Sequence, residues 1–113
     1  MQDAVDRYLD HLRVERNLDA NTLDSYARDL NSLLAHLEGQ GIRSPRAVAT
    51  VHLARWLRSL ADRGLAASSQ SRALSAVRQL FAFLMAEGTL DANPTAELRS
   101  PRRRRPLPVV VSR

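Results

Sequence analysis

Four apolar stripes at helical spacing, each ended by asparagine or glycine, constrain this chain more than any other feature. Val5, Tyr8, Leu9 and Leu12 recur three and four apart within residues 2–16, the spacing of one helix face. Asn17-Leu-Asp-Ala-Asn21 interrupts the pattern. Leu23, Tyr26, Ala27, Leu30, Leu34 and Leu37 form a second stripe reaching residue 38, closed by Gly39-Gln-Gly41. Leu53, Trp56, Leu57 and Leu60 form a third, from Thr50 to about Arg63, with Gly64 as its stop. Leu74, Val77, Leu80, Phe81 and Leu84 form a fourth, closed by Gly88. No segment of the stripes alternates with the period of a strand, and no internal repeat is visible. Four helices with short connections predict an all-α bundle of antiparallel type.

Local signals mark the helix starts. Asn21 is expected to cap the second helix, with Asp24 three residues on. Ser44-Pro45 predicts a short helical turn over 45–49. Thr50 is the expected cap of the third helix and Ser68 or Ser69 that of the fourth. Asn93-Pro94 predicts a short fifth helix reaching about Leu98. From Arg99 the periodicity ends, and Ser100-Pro-Arg-Arg-Arg-Arg-Pro-Leu-Pro108 reads as an extended basic linker. Val109-Val-Val111 has strand propensity but no partner strand in this chain. The expected organisation is a helical domain over 1–98 and a linker over 99–113.

With 113 residues the chain suits one domain with one core. It has no cysteine, hence neither a disulfide framework nor a thiolate metal site. No apolar run approaches the roughly 20 residues of a membrane span. Met1-Gln-Asp-Ala carries acid where a secretion signal carries basic residues before an apolar run. A cytoplasmic location is therefore expected. His, Asp and Glu show no zinc or calcium spacing, and no glycine-rich phosphate loop is present, so no metal and no cofactor is expected.

Charge is unevenly distributed. Residues 1–38 hold eight acids against four arginines, and residues 39–113 hold four acids against thirteen arginines. Such asymmetry suits a polyanionic partner for the later part, although a charge run is also what a solvated surface with a basic tail looks like. All the basic residues are arginine.

The faces left over from the core are more telling. On the second helix Thr22, Ser25, Arg28 and Ser32 share one face. On the fourth, Ser68, Ser71, Arg72, Ser75, Arg78 and Gln79 make a similar one, and no acid occurs between Arg63 and Ala86. Serine is a poor helix former, and a solvated helix ordinarily mixes acids with bases. Hydroxyls and helix N-termini donate to phosphates, and Arg and Gln read base edges in the major groove. Double-stranded DNA is the partner this chemistry fits. Tyr8, Tyr26, Trp56, Phe81 and Phe83 occur at or near core spacing and are read as packing rather than base-stacking platforms.

Five stretches, taken in order, resemble the N-terminal core-binding domain of tyrosine recombinases of the Xer and phage-integrase group. They are Tyr8-Leu-Asp-His-Leu12; Arg16-Asn-Leu-Asp-Ala-Asn-Thr-Leu-Asp-Ser-Tyr-Ala-Arg-Asp-Leu30; Ser71-Arg-Ala-Leu-Ser-Ala-Val-Arg-Gln-Leu-Phe-Ala-Phe-Leu84; Asn93-Pro94; and Ser100-Pro101 with Arg105-Pro-Leu-Pro108. The resemblance implies a SAM-like four-helix orthogonal or antiparallel bundle with a short fifth helix, forming half of a clamp whose second and fourth helices lie against the major groove. Carried over residue by residue, it makes Asn21, Thr22, Ser25 and Arg28 the DNA-binding positions of the second helix. Ser68, Ser69, Ser71, Arg72, Ser75 and Arg78 are those of the fourth. Thr22, Ser25 and Ser69 would hold phosphates, Arg72 would reach a base edge, and Arg102, Arg103, Arg104 and Arg105 of the linker would neutralise the backbone. The four-arginine run is more uniformly basic than this linker is expected to be.

The resemblance also implies that a catalytic domain, absent from this chain, performs strand exchange through a tyrosine nucleophile and cationic groups around the phosphate. The fragment is therefore expected to be no enzyme. It would be monomeric without DNA and join other recombinase subunits in a synaptic tetramer as part of a full-length protein. Helix A, the segment over residues 2–16, offers an acidic face as a subunit contact. His52-Leu-Ala-Arg55 has the family's His-x-x-Arg spacing but lies within the clamp domain, with both tyrosines before it, and is not a catalytic motif. His11 and His36 are read as isolated and exposed. Two other classes fit parts of the pattern: a helical protein-interaction module with an arginine-rich tail, and a helix-turn-helix regulator using the short Gly64–Ala67 connection.

Overall fold

The computed structural model describes residues 1–98; the basic stretch over 99–113, with Arg102, Arg103, Arg104, Arg105 and the valine run, lies outside the described residues. Four α-helices follow one another, α1 Gln2–His11, α2 Ala20–Gly39, α3 Thr50–Asp62 and α4 Ala67–Glu87, and no strand occurs among the described residues. A short 3-10 turn, Pro45–Ala47, precedes α3, and the Ser44 hydroxyl accepts from the Arg46 N–H as expected.

Helix α4 is the central element and packs against α1, α2 and α3. It buries Ala73, Leu74, Ala76, Val77, Leu80, Phe81 and Leu84, and the alanines let neighbouring helices approach its backbone. Trp56, Tyr8 and Phe81 are the largest fully buried side chains. Every predicted stripe faces the core, with Leu9, Leu23, Tyr26 and Ala27 only partly buried at its edge. Leu33, Ile42, Val48, Leu90 and Leu98 extend that core beyond the stripes.

The first helix departs from the expected 2–16. Its α-helical part ends at His11, and Leu12–Arg16 continues as one wider π-type turn. Asn17 ends it at φ 51°, a left-handed conformation that asparagine tolerates better than most residues.

Three caps also differ. The cap of α2 is Asp19, whose carboxylate accepts from the Thr22 N–H at 2.8 Å; Asn21 sits inside the first turn. Asp19 adds a negative charge at the positive end of the helix dipole, so the earlier start wins. Helix α3 is capped at Ala49, whose N–H donates to His52 Nδ1 at 2.8 Å. Thr50 is instead the first helical residue and donates its hydroxyl to the Pro94 carbonyl at 2.7 Å. Helix α4 starts after Ala66 with no side-chain cap, so Ser68 and Ser69 lie within its first turn. Gly64 and Gly88 stop α3 and α4 at φ 87° and 82°.

The expected short fifth helix is a pair of turns. Asn93 Oδ1 accepts from both the N–H and the hydroxyl of Thr95, so the cap forms. Only three-residue bonds follow, Ala96 N–H to the Asn93 carbonyl and Leu98 N–H to the Thr95 carbonyl. So short a stretch gains little from helical bonds, while turning inward buries Leu98.

Candidate nucleic-acid interface

Because α4 packs against three neighbouring helices, its solvent side shrinks to a narrow stripe. Ser68, Ser71, Ser75, Arg78 and Ala82 are exposed along it at steps of three and four. Ser69 and Arg72 are half-buried beside it. On α2, Asn21 and Arg28 are exposed and Thr22 and Ser25 half-buried. Helices α2 and α4 pack directly on each other, so the two hydroxyl-bearing faces flank one seam.

That seam carries an ion pair. Arg72 donates from Nε to Asp29 Oδ2 at 2.9 Å and from Nη2 to Asp29 Oδ1 at 3.1 Å. The Asp29 side chain is 8% exposed and that of Arg72 40%. The Asp29 carboxylate holds the guanidinium more firmly charged than usual. Arginine has five N–H donors, and this fork uses two. Asp29 stands one turn from Ser25, and Arg72 one turn from Ser68 and Ser75. Sequence reasoning missed Asp29. The only signal was an acid bordering an apolar stripe, in the Ala-Arg-Asp-Leu run of the second helix.

Other predicted positions have partners of their own. Arg78 donates from Nη2 to the Leu98 carbonyl at 2.7 Å, so it fastens the end of the described chain beside the α4 stripe. The Thr22 N–H is taken by Asp19, and the same bond, with the Thr22 hydroxyl second, holds the Asp19 carboxyl below its usual range. Ser32 accepts from Trp56 Nε1 at 3.2 Å. Gln79 accepts from the Tyr8 hydroxyl at 3.1 Å. Burial first, with Tyr26 nearby, pushes the Tyr8 phenol up to about 12.

The histidines divide. His11 is exposed but lies against Phe83, ring centroids 5.0 Å apart. His36 corrects the expectation of an exposed residue: it is half-buried and pairs with Gln40 through Nε2 at 3.0 Å. Burial, then Arg55 and His52, lowers its pKa. His52 caps α3, an occupation unrelated to phosphoryl chemistry. Phe83 is half-buried, with its ring centroid 5.6 Å from that of Tyr8.

Among the described residues no group of three or more His, Cys, Asp or Glu is placed to hold a metal ion, and no helix is long and apolar enough to cross a membrane. The arrangement can therefore offer hydroxyls, helix-borne guanidinium groups and an acid-free helix face to a polyanion.

Known proteins match this chain over most of its length. Residues 5–88 match the family described as phage integrase, N-terminal SAM-like domain. The chain is 38% identical over 109 residues to the tyrosine recombinase XerD of Brucella abortus biovar 1, covering 96% of this chain and 35% of that protein. It is 37% identical over 108 residues to the tyrosine recombinase XerC of Xanthomonas campestris pv. campestris strain B100, covering 96% and 34%. The XerC of Xanthomonas axonopodis pv. citri gives 37% over 118 residues, covering 96% and 39%. The chain thus spans little more than a third of the length of these relatives. The match over residues 5–88, the all-helical bundle and these relatives together show that the chain belongs to the phage integrase N-terminal SAM-like domain family.

Proposed function

We propose that this chain is the DNA-gripping domain of a site-specific tyrosine recombinase, holding duplex DNA through α2 and α4 during recombination or integration. The observation that carries the reading is the solvent stripe of α4. It presents Ser68, Ser71, Ser75 and Arg78 with no acid between Arg63 and Ala86. Phosphates accept from such hydroxyls and arginines, and an acid-free face does not repel the duplex. In this reading Ser25, Ser68, Ser69, Ser71 and Ser75, with Thr22 and Asn21 at the start of α2, position the backbone. Arg28 and Arg78 supply charge, and Arg72 reaches a base edge with the donors that Asp29 leaves it.

Residues 1–98 form the gripping domain and 99–113 the linker, in which Arg102–Arg105 neutralise phosphates. Strand cleavage belongs to a catalytic domain outside this chain, as the partial coverage of the relatives supports. The working assembly is a tetramer of recombinase subunits on two duplexes in the cytoplasm, and this chain alone is a monomer.

Fluorescence anisotropy with 30-base-pair duplexes at two salt concentrations tests the proposal. A duplex resembling the recombination sites of the relatives should bind more tightly than a scrambled one, and both should weaken steeply with salt. Absence of binding at low salt would overturn it.

A further inference from the structure

We propose that Asp29 is a specificity-determining positioning residue, which fixes the guanidinium plane of Arg72 at the α2–α4 seam before DNA arrives. The inference rests on the DNA-binding reading above and adds to it a residue that touches no base itself.

Reading a base edge needs a guanidinium held in one plane, because the bidentate contact to guanine is planar and directional. A free surface arginine lacks that order, and ordering it on binding opposes affinity. Arg72 is ordered by folding instead. Two parallel hydrogen bonds, 2.9 and 3.1 Å, tie its Nε and Nη2 to a carboxylate that is itself 8% exposed and fixed in the body of α2. The side chain keeps 40% exposure, and the fork to Asp29 takes two of the five guanidinium N–H donors. Ser25, Ser68 and Ser75 each lie one helical turn from a member of the pair.

Stability alone gives little reason for this arrangement. A buried carboxylate paired with arginine is often no better than well-packed apolar residues of the same size. Geometry is what the pair supplies, in keeping with its place between the two hydroxyl-bearing faces. The pair is also close to neutral overall. Arg72 therefore adds little to counterion release, and its contribution is discrimination rather than general affinity.

This predicts two effects of opposite sign in Asp29→Asn. Removing a negative charge beside the duplex should leave binding to a scrambled duplex unchanged or strengthen it up to about twofold at low salt. Releasing Arg72 should lower the preference for the chosen site by roughly tenfold. A purely structural role would weaken both alike.

The experiment uses the full 113-residue chain and a 30-base-pair duplex selected by that chain from a randomised pool, against a scrambled duplex. Arg72→Lys, which keeps the charge and loses the fork, is measured beside Asp29→Asn and the double variant. Each is checked for folded helix content at the assay temperature. The expected result is a similar loss of preference in both single variants with no further loss in the double, the signature of one shared function. If Asp29→Asn is unfolded, Arg72→Lys alone decides: retained preference there overturns the assignment. Parent binding with preference intact in folded Asp29→Asn, or lost affinity for both duplexes alike, overturns the positioning role alone. A parent chain with no selectable sequence overturns it too. No binding by the parent to any duplex overturns the DNA-binding reading and the assignment together.

Discussion

The indole Nε1–H of Trp56 donates to the hydroxyl of Ser32 at 3.2 Å, tying α3 to α2 through a serine that helical spacing places on one face with Thr22, Ser25 and Arg28. Trp56 is 1% exposed, so its N–H has no ready access to water. Ser32→Ala should cost about 1–2 kcal/mol, the penalty of a buried donor left unpaired. Trp56 is the chain's single tryptophan, and urea unfolding followed by its fluorescence reads the loss directly. DNA affinity at a temperature where the variant stays folded should not change. A fall in affinity equal to that of Ser25→Ala would return Ser32 to the interface.

That serine shows where sequence reasoning stops. Helical period identifies which residues share a face, and on this basis Val5, Tyr8, Leu30, Leu53, Trp56, Leu80 and Phe81 are legible as core. It does not say which neighbour a residue at the border of a stripe will meet. Ser32, Gln79 and Asp29 all sit at such borders, and each is claimed by another helix. Caps are misread for a related reason. Asp19 and Asn21 both suit a cap, and Thr50 and Ser68 look like caps until a partner such as Pro94 or an uncapped start intervenes. The α4 stripe is legible because the absence of acids between Arg63 and Ala86 is a property of the sequence alone.

Truncating Arg72 should be harder on the fold than removing the pair. Arg72→Ala leaves the Asp29 carboxylate buried without its partner, a situation that costs several kcal/mol in a closed interior. Arg72 is 40% exposed, so water reaches the site and screening reduces the figure to about 2 kcal/mol. Replacing both, as Asp29→Leu with Arg72→Met, removes the stranded charge and should recover at least half of that loss. Urea midpoints of the parent and the two variants check it; a double variant less stable than Arg72→Ala would show that the pair contributes net stability.

Alkaline stability should be governed by Tyr8. Its pKa rises from 10 in the unfolded chain to about 12 in the folded one because the phenol is buried. The folded state thus holds its proton where the unfolded state has lost it. The associated stability is fully present below pH 10 and falls as pH rises through about 12. Two units correspond to roughly 2–3 kcal/mol. The chain has no lysine and no cysteine, and arginine stays charged throughout, so in this window tyrosine ionisation dominates. Urea unfolding at pH 9, 10, 11 and 12 should show the decline, and Tyr8→Phe should flatten it. A decline of equal size in Tyr8→Phe would assign the effect elsewhere.

The basic run beyond the helical body should act on DNA differently from the α4 face. Arg102, Arg103, Arg104 and Arg105 carry four charges in succession, and charges that meet phosphates release counterions in proportion to their number. Replacing all four with glutamine should lower the slope of log affinity against log salt by up to about 3.6, at roughly 0.9 for each phosphate no longer neutralised. The weakening should be the same on a preferred and a scrambled duplex, because phosphates carry no sequence information. Ser71→Glu on the α4 stripe makes the contrast. It puts an acid into an acid-free face and should weaken binding while changing the salt slope by only about one unit. Anisotropy titrations between about 50 and about 200 mM salt separate the two behaviours. An unchanged slope in the four-fold glutamine variant would remove the run from the DNA-binding surface and leave the seam of α2 and α4 to hold the duplex alone.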